Sequence, residues 1–300
     1  MSRIALATLV GIVLAIAVLI GGARTTYAQA AAPATTGVKI SGEYSTSWRQ
    51  MWLPTDVSKD GYQVDRLIHV LHWFMGALFV GWGVFFVYCL VRFRQRRGHK
   101  ADAEPVKAKV SKFAEIGVAI FEAVLLIGFS VPVWAAARAE PPKPEDHPLR
   151  VRVIAEQFAW NFHYPGSDGV FGKTNPSLVN TATNPLGLDK SDPAATDDIA
   201  SGELRLPVGR PIICEITSKD VIHSFFIPVM RVKQDAIPGM RIPVWFTAKE
   251  EAAGGVYEVA CAQLCGNNHY SMRALMFLQS PNDFDAWLKE KSKPPEVFDE

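Results

Sequence analysis

The sequence predicts a membrane α-hairpin of two transmembrane helices followed by an all-β sandwich or barrel. Three observations predict it. Two long apolar stretches, at about 67–91 and 113–137, flank a basic connector. Six short runs of alternating apolar and polar residues follow, punctuated by Pro and Gly. Among the last of these runs stands a dense string of Cys, His and Met. The chain has 300 residues, is 49% hydrophobic and carries a net charge of +1. That length allows one sizeable core plus membrane segments. The near-zero charge, with no basic stripe, argues against nucleic acid as a partner.

The elements follow in order. Residues 4–20 are apolar, come after Arg3 and lead to Ala28-Gln29-Ala30. A basic start, an apolar run and an A-x-A site predict a secretory signal peptide over 1–30. An uncleaved anchor is the alternative. Residues 31–64 are expected as a flexible N-terminal segment, because 31–47 is rich in Ala, Thr and Ser. The hairpin is expected over 65–137, since each apolar stretch is long enough as a helix to cross a bilayer core of ~30 Å. His69, His72 and Trp73 near the outer end of the first span are read as interfacial anchors. Gly76, Gly81 and Gly83 are candidates for close helix packing. Between Arg92 and Lys112 stand eight Lys or Arg and two acids, which places that connector in the cytoplasm. Everything after residue 137 then faces the periplasm of a bacterial inner membrane. Inside the second span, Glu115 and Glu122 are functional candidates, because an ionisable group in a membrane is costly. For Glu115, solvation at the cytoplasmic interface is the plain alternative.

Residues 138–300 form the expected periplasmic domain. Strands are predicted at 149–155, 202–208, 211–217, 242–247, 255–260 and 274–278, from their period of two. In the run Gln157 to Tyr164, aromatics spaced by two fit one strand face. Residues 165–202 hold five Asp and two Lys and read as an acidic surface insertion, or as a docking surface for a basic donor. Lys233 to Gly239 reads as a link between strands with Pro238-Gly239 as its turn pair. Ser280-Pro-Asn-Asp opens a capped terminal helix. Cys214 in a strand and Cys89 in a span read as inert small apolar residues.

The chemistry concentrates in Cys261-Ala-Gln-Leu-Cys265-Gly-Asn-Asn-His269-Tyr-Ser-Met272 and in the earlier His223. A bare C-x3-C in an oxidised compartment favours a disulfide. Zinc is a second option, since Cys2His2 is a common structural set. His269 and Met272 have no role in a disulfide, and zinc does not recruit Met. Thiolate, thioether and imidazole together select copper. The set exceeds what one copper needs and suits two bridged by the thiolates.

At these residues the chain resembles subunit II of haem–copper cytochrome c oxidases, which carries the binuclear CuA centre. The resemblance rests on Cys261 to Met272 and on His223-Ser-Phe-Phe-Ile-Pro-Val-Met-Arg-Val-Lys-Gln-Asp-Ala-Ile-Pro-Gly239. It implies a cupredoxin-like domain in which Cys261 and Cys265 bridge two coppers. His223 and His269 each bind one, Met272 is a weak ligand, and Gln263 gives its backbone carbonyl. It implies an electron relay from cytochrome c, or another periplasmic donor, to haem in subunit I, where O2 is reduced to water. It also implies that Lys233 and Asp235 help to order the interface with subunit I, and that Arg273 contacts a haem propionate or a nearby carboxylate. The family carries a Glu at a proton-channel entrance, and Glu115 matches it without the accompanying Trp, Thr and Pro. The aromatic that receives the electron in the family is Trp; here Phe158 stands in its place and Trp160 matches the next. Where most of the family has a Glu that reaches Mg or Mn at the subunit I boundary, this chain has Gln263. An amide is a weaker ligand for a hard cation, so that second metal is expected to be weakened or absent. Rival readings are the CuA subunit of a nitric oxide reductase, a membrane-anchored copper carrier or assembly protein, and a copper-free quinol oxidase subunit. The complete ligand set argues against the last.

Overall fold

The computed structural model describes residues 40–41, 53–96, 98, 109–138 and 140–293. The expected signal peptide, nearly all of the Ala-rich stretch after it and most of the basic connector lie outside the described residues.

Helix α1 spans Gly61–Arg92, roughly 48 Å at the α-helical rise, more than a bilayer core requires. It starts earlier than the continuous apolar run does, because Gly61 to Arg66, with Gln63, Asp65 and Arg66 among them, are already helical. Helix α2, Lys109–Leu125, continues through a π-helical turn at Leu126–Ser130 into α3, Val131–Arg138. Both spans are long and apolar enough to cross a membrane, and Phe79, Trp82, Phe86, Ile127 and Trp134 stand exposed along them. Such surfaces are stable in lipid or against other membrane helices. Phe74 meets Phe121 at 4.4 Å between ring centroids and joins the two spans. Among the described residues, the glycines expected to bring helices close do not do so: beyond their own helix backbone, nothing lies within 4 Å of a Cβ built on Gly76, Gly81 or Gly83.

The β domain is a sandwich of two five-stranded sheets. Its strands are β1 Leu149–Glu156, β2 Ala159–Tyr164, β3 Ile199–Ser201, β4 Leu204–Pro207 and β5 Pro211–Ser218. They continue as β6 His223–Ile227, β7 Val232–Ala236, β8 Ile242–Thr247, β9 Val256–Cys261 and β10 Arg273–Gln279. One sheet runs β3-β2-β1-β5-β8, the other β4-β10-β9-β6-β7. The pairs β1–β5 and β4–β10 are parallel, the rest antiparallel. Alternation explains the core: Val151, Val153 and Ala155 of β1 and Ile212, Cys214 and Ile216 of β5 are fully buried, while the residues between them, such as Arg152 and Glu215, are only half-buried. Burial pushes the Cys214 thiol far above its ordinary pKa, so it is an inert core group. In β2 the aromatics Trp160, Phe162 and Tyr164 face inward. Helix α4, Pro281–Lys291, closes one end. The Ser280 hydroxyl accepts from the Asp283 amide, and Trp287 packs on Tyr164 at 5.1 Å.

Two expectations need correction. Residues 53–60, inside the segment expected to be flexible, are fastened to the sandwich. The Val57 amide donates to the Val229 carbonyl, the Lys59 amide to Thr247, and Lys249 Nζ reaches Asp56 at 2.9 Å. Arg231, with φ 57, holds Asp65 of α1 through Nε at 2.6 Å and Nη2 at 2.9 Å and also donates to the Pro54 carbonyl. The stretch expected as a link at 233–239 is instead half strand: Lys233, Gln234 and Asp235 lie in β7, paired with β6. The turn comes after it, at Gly239 with φ 77.

The aspartates of the insertion between β2 and β3 accept hydrogen bonds from its own backbone. Asp197 accepts the amides of Ser167 and Asp168, Asp198 that of Gly172, and Asp192 that of Lys173. These bonds hold the loop's own backbone, which weakens its candidacy as an acidic docking surface.

Candidate metal centre

Strand register assembles the centre. β6 opens with His223, and Phe225 of β6 sits opposite Cys261, the last residue of β9. The Ala262 amide donates to the Ser224 carbonyl, so the chain leaving Cys261 stays on β6. On the other side, Arg273 of β10 pairs with Ala260 of β9, and the Cys261 amide donates to the Met272 carbonyl. Cys261 and Met272 thus form the feet of one hairpin loop, and Cys265 and His269 lie inside it. A short 3-10 turn at His269–Ser271 folds the loop back.

The side chains converge. Cys261 and Cys265 are free thiols with sulfurs 3.8 Å apart. His223 Nδ1 lies 3.9 Å from the Cys261 sulfur, and His269 Nδ1 lies 3.6 Å from the Cys265 sulfur. Met272 Sδ is 3.8 Å from Cys265 Sγ, and the Gln263 carbonyl is 3.2 Å from Cys261 Sγ. His223, Cys261 and Cys265 have ligand atoms within 4.8 Å of one another. His223, Cys265 and Met272 are buried, while Cys261 and His269 are half-buried. Burial, then the neighbouring Cys261 thiol, pushes Cys265 up to about 11, so this thiol is protonated until a cation displaces its proton. Two unbonded sulfurs with an imidazole beside each, a thioether and one carbonyl make a soft donor set that fits copper.

Three further residues shape the centre, and only one had a local signal. Asp220 Oδ1 lies 2.9 Å from His223 Nε2, which leaves Nδ1 directed to the sulfurs. Burial alone would raise the Asp220 carboxyl, but bonds from His223 and from the Gln157 and Val221 amides hold it below its ordinary range. An Asp three residues before a ligand His is the readable cue for this role. Gln157 donates its side-chain amide to the Cys265 carbonyl at 2.6 Å from 108 residues away, which no spacing announces. Gly266, with φ 134, has the Phe158 ring where a Cβ would stand, so the ligand loop packs flat on that ring.

The remaining predicted residues fall in two places. Trp160 is buried with its ring 6.2 Å from His223 and 5.5 Å from Phe225. Phe158 is partly buried at the rim of the same loop. Glu115 is not part of this cluster; it lies on α2, where the Ser111 hydroxyl donates to it at 3.1 Å. Lys233 stacks over the Phe226 ring at 4.7 Å, and Arg273 pairs with Glu258 at 3.2 Å.

Comparison with known proteins bears on this arrangement. Residues 149–278 match the family model described as cytochrome c oxidase subunit II, periplasmic domain. A protein of Bradyrhizobium diazoefficiens named alternative cytochrome c oxidase subunit 2 is 31% identical over 242 residues, covering 80% of this chain and 84% of its own. Cytochrome c oxidase subunit 2 of Synechocystis sp. is 27% identical over 287 residues, covering 81% and 76%. Among solved structures, the periplasmic domain of subunit II of cytochrome oxidase from Bradyrhizobium japonicum is 28% identical. It covers 48% of this chain and 92% of its own, with a TM-score of 0.34.

Proposed function

Because this chain belongs to the cytochrome c oxidase subunit II family, we propose that its sulfur and imidazole cluster holds a binuclear CuA centre. With copper bound, these residues would hold a one-electron relay between a periplasmic donor, cytochrome c or an equivalent, and haem in subunit I. Oxygen is reduced to water in that other chain. The observation that carries this reading is the pair of unbonded thiols 3.8 Å apart with one imidazole beside each.

Cys261 and Cys265, with His223, His269, Met272 and the Gln263 carbonyl, would hold the metals. Copper bound there supplies a one-electron carrier whose charge is spread over two metal ions and two sulfurs. The chain does the rest by holding still. Strands β6 and β9 carry His223 and Cys261, Met272 stands directly before β10, Asp220 holds the His223 ring, and Gln157 pins the Cys265 carbonyl. Burial of His223, Cys265 and Met272 keeps water from one side of the centre. Trp160 and Phe158 form the aromatic flank on the side of electron entry. Gln263 lends no carboxylate to a hard cation, so a Mg or Mn ion at the subunit I boundary is weakened or absent. The two spans anchor the subunit in the bacterial inner membrane, with the basic connector cytoplasmic and the sandwich periplasmic.

Rapid mixing of the purified oxidase complex with reduced cytochrome c tests the relay. The copper absorption should bleach before haem in subunit I becomes reduced. Haem reduction with no preceding change at copper would rule the relay out.

A further inference from the structure

A second site lies on the outer face of the β3-β2-β1-β5-β8 sheet, under the insertion between β2 and β3. It is a cavity of about 480 Å³, within the range of small-molecule pockets. Its floor follows from strand alternation. β1 buries Leu149, Val151 and Val153, so Arg150, Arg152 and Ile154 face outward. On β5 the outward residues include Glu215 and Thr217, and Arg152 sits directly opposite Glu215. The insertion supplies the roof with Pro176, Val179 and Leu186. This roof explains why β2, unlike the other strands of its sheet, is buried on both faces from Trp160 to Tyr164.

The charges around the cavity do not cancel. Arg152, Lys219 and Arg241 line it against the single carboxylate of Glu215. Glu215 is shared, bonding Arg150 through one oxygen and Arg152 Nε through the other at 3.3 Å. Lys219 is engaged by Glu156 and the Pro185 carbonyl, and His163 at the inner wall is bonded to the buried Asp198 at 2.7 Å. Arg241 has no carboxylate partner among the described residues, and the Arg152 Nη nitrogens donate to none of them. The Phe171 ring lies 4.0 Å from the Arg152 guanidinium and holds it in place. Burial, and then the like charge of Arg241, press the Arg152 pKa below its ordinary value. Planar guanidinium groups with free donors beside an apolar roof are the elements of a carboxylate or phosphate site.

We infer that this cavity binds a small dianionic molecule, a dicarboxylate or a phosphate monoester. Arg152 and Arg241 clasp its oxyanion groups, and Ile154, Val179 and Leu186 cover its carbon body. The site is built wholly from this chain and stands apart from the copper ligands.

Isothermal titration of the purified full-length chain in detergent tests it, with succinate and glycerol 3-phosphate as separate probes. Saturable one-to-one binding of at least one probe is expected, and the tighter of the two assigns the ligand class. Arg241 is exposed, so Arg241→Gln leaves the core intact; it should weaken binding about tenfold or more. Arg210→Gln removes a cation outside the cavity, one that donates to the His147 carbonyl, and should change nothing. No saturable binding of either probe would overturn the inference. So would equal losses in Arg241→Gln and Arg210→Gln, since the attraction would then be diffuse.

Discussion

Asp220 is the residue on which the orientation of the His223 ring turns. Its carboxylate faces Nε2 at 2.9 Å, and the ring itself is fully buried. Without that partner the ring loses the bond that fixes its tautomer and leaves Nδ1 free for metal. Asp220→Ala should therefore weaken copper binding about 10- to 100-fold, read by competition with a chromogenic chelator. Unchanged affinity would mean that packing against Trp160 alone positions the imidazole. The proposed ligands stand out in the sequence, because Cys, Cys, His and Met within one short string have no common structural reason to occur together, and the structure brings their side chains into one cluster. Gln157 was not legible. Its contact with the Cys265 carbonyl joins the β1–β2 turn to the copper loop, and only the three-dimensional register of two sheets brings them together.

Among the elements, one ion pair ties α1 itself to the sandwich. Arg231 is 7% exposed and Asp65 22%, and the guanidinium also holds two backbone carbonyls. Asp65→Ala leaves that buried charge without its counterion, at a cost of about 3 kcal/mol. A lower unfolding midpoint of the full chain in detergent checks this. The outer face of the β1–β5 sheet gives a pH signature. Burial would raise the Glu215 carboxyl, but bonds from Arg150 and Arg152 bring it below its ordinary 4.5. A carboxyl lowered by folding stabilises fully above its unfolded value and loses that contribution as pH falls through the folded one. Glu215→Gln should thus be less stable than the parent at neutral pH, with the gap closing below 4.5. A gap independent of pH would show that shape, not charge, sets its role. The alternating strands announced themselves through period two, as in Leu149-Arg-Val-Arg-Val. β6 and β7 did not. His223-Ser-Phe-Phe-Ile has both faces covered and so shows no alternation, while Val-Lys-Gln-Asp-Ala has too few apolar residues to mark a strand.

At the scale of the whole molecule, two helices long and apolar enough to cross a membrane lead to a sandwich whose candidate copper loops are gathered at one end. The division between hairpin and sandwich was readable because lipid and water demand different patterns, continuous apolar runs in one and alternation in the other. What composition concealed was the attachment. Residues 53–60 look like linker, yet their backbone groups pair with the loops that follow β6 and β8. The insertion was likewise concealed, because aspartates that cap their own loop have the same composition as aspartates facing solvent. The proposed relay requires two copper ions sharing one electron across Cys261 and Cys265. Electron paramagnetic resonance of the copper-loaded full chain, in its partly oxidised form, measures that sharing directly. Equal coupling to two copper nuclei predicts a seven-line hyperfine pattern that Cys265→Ser abolishes. A four-line spectrum from a single copper in the unaltered chain would contradict it.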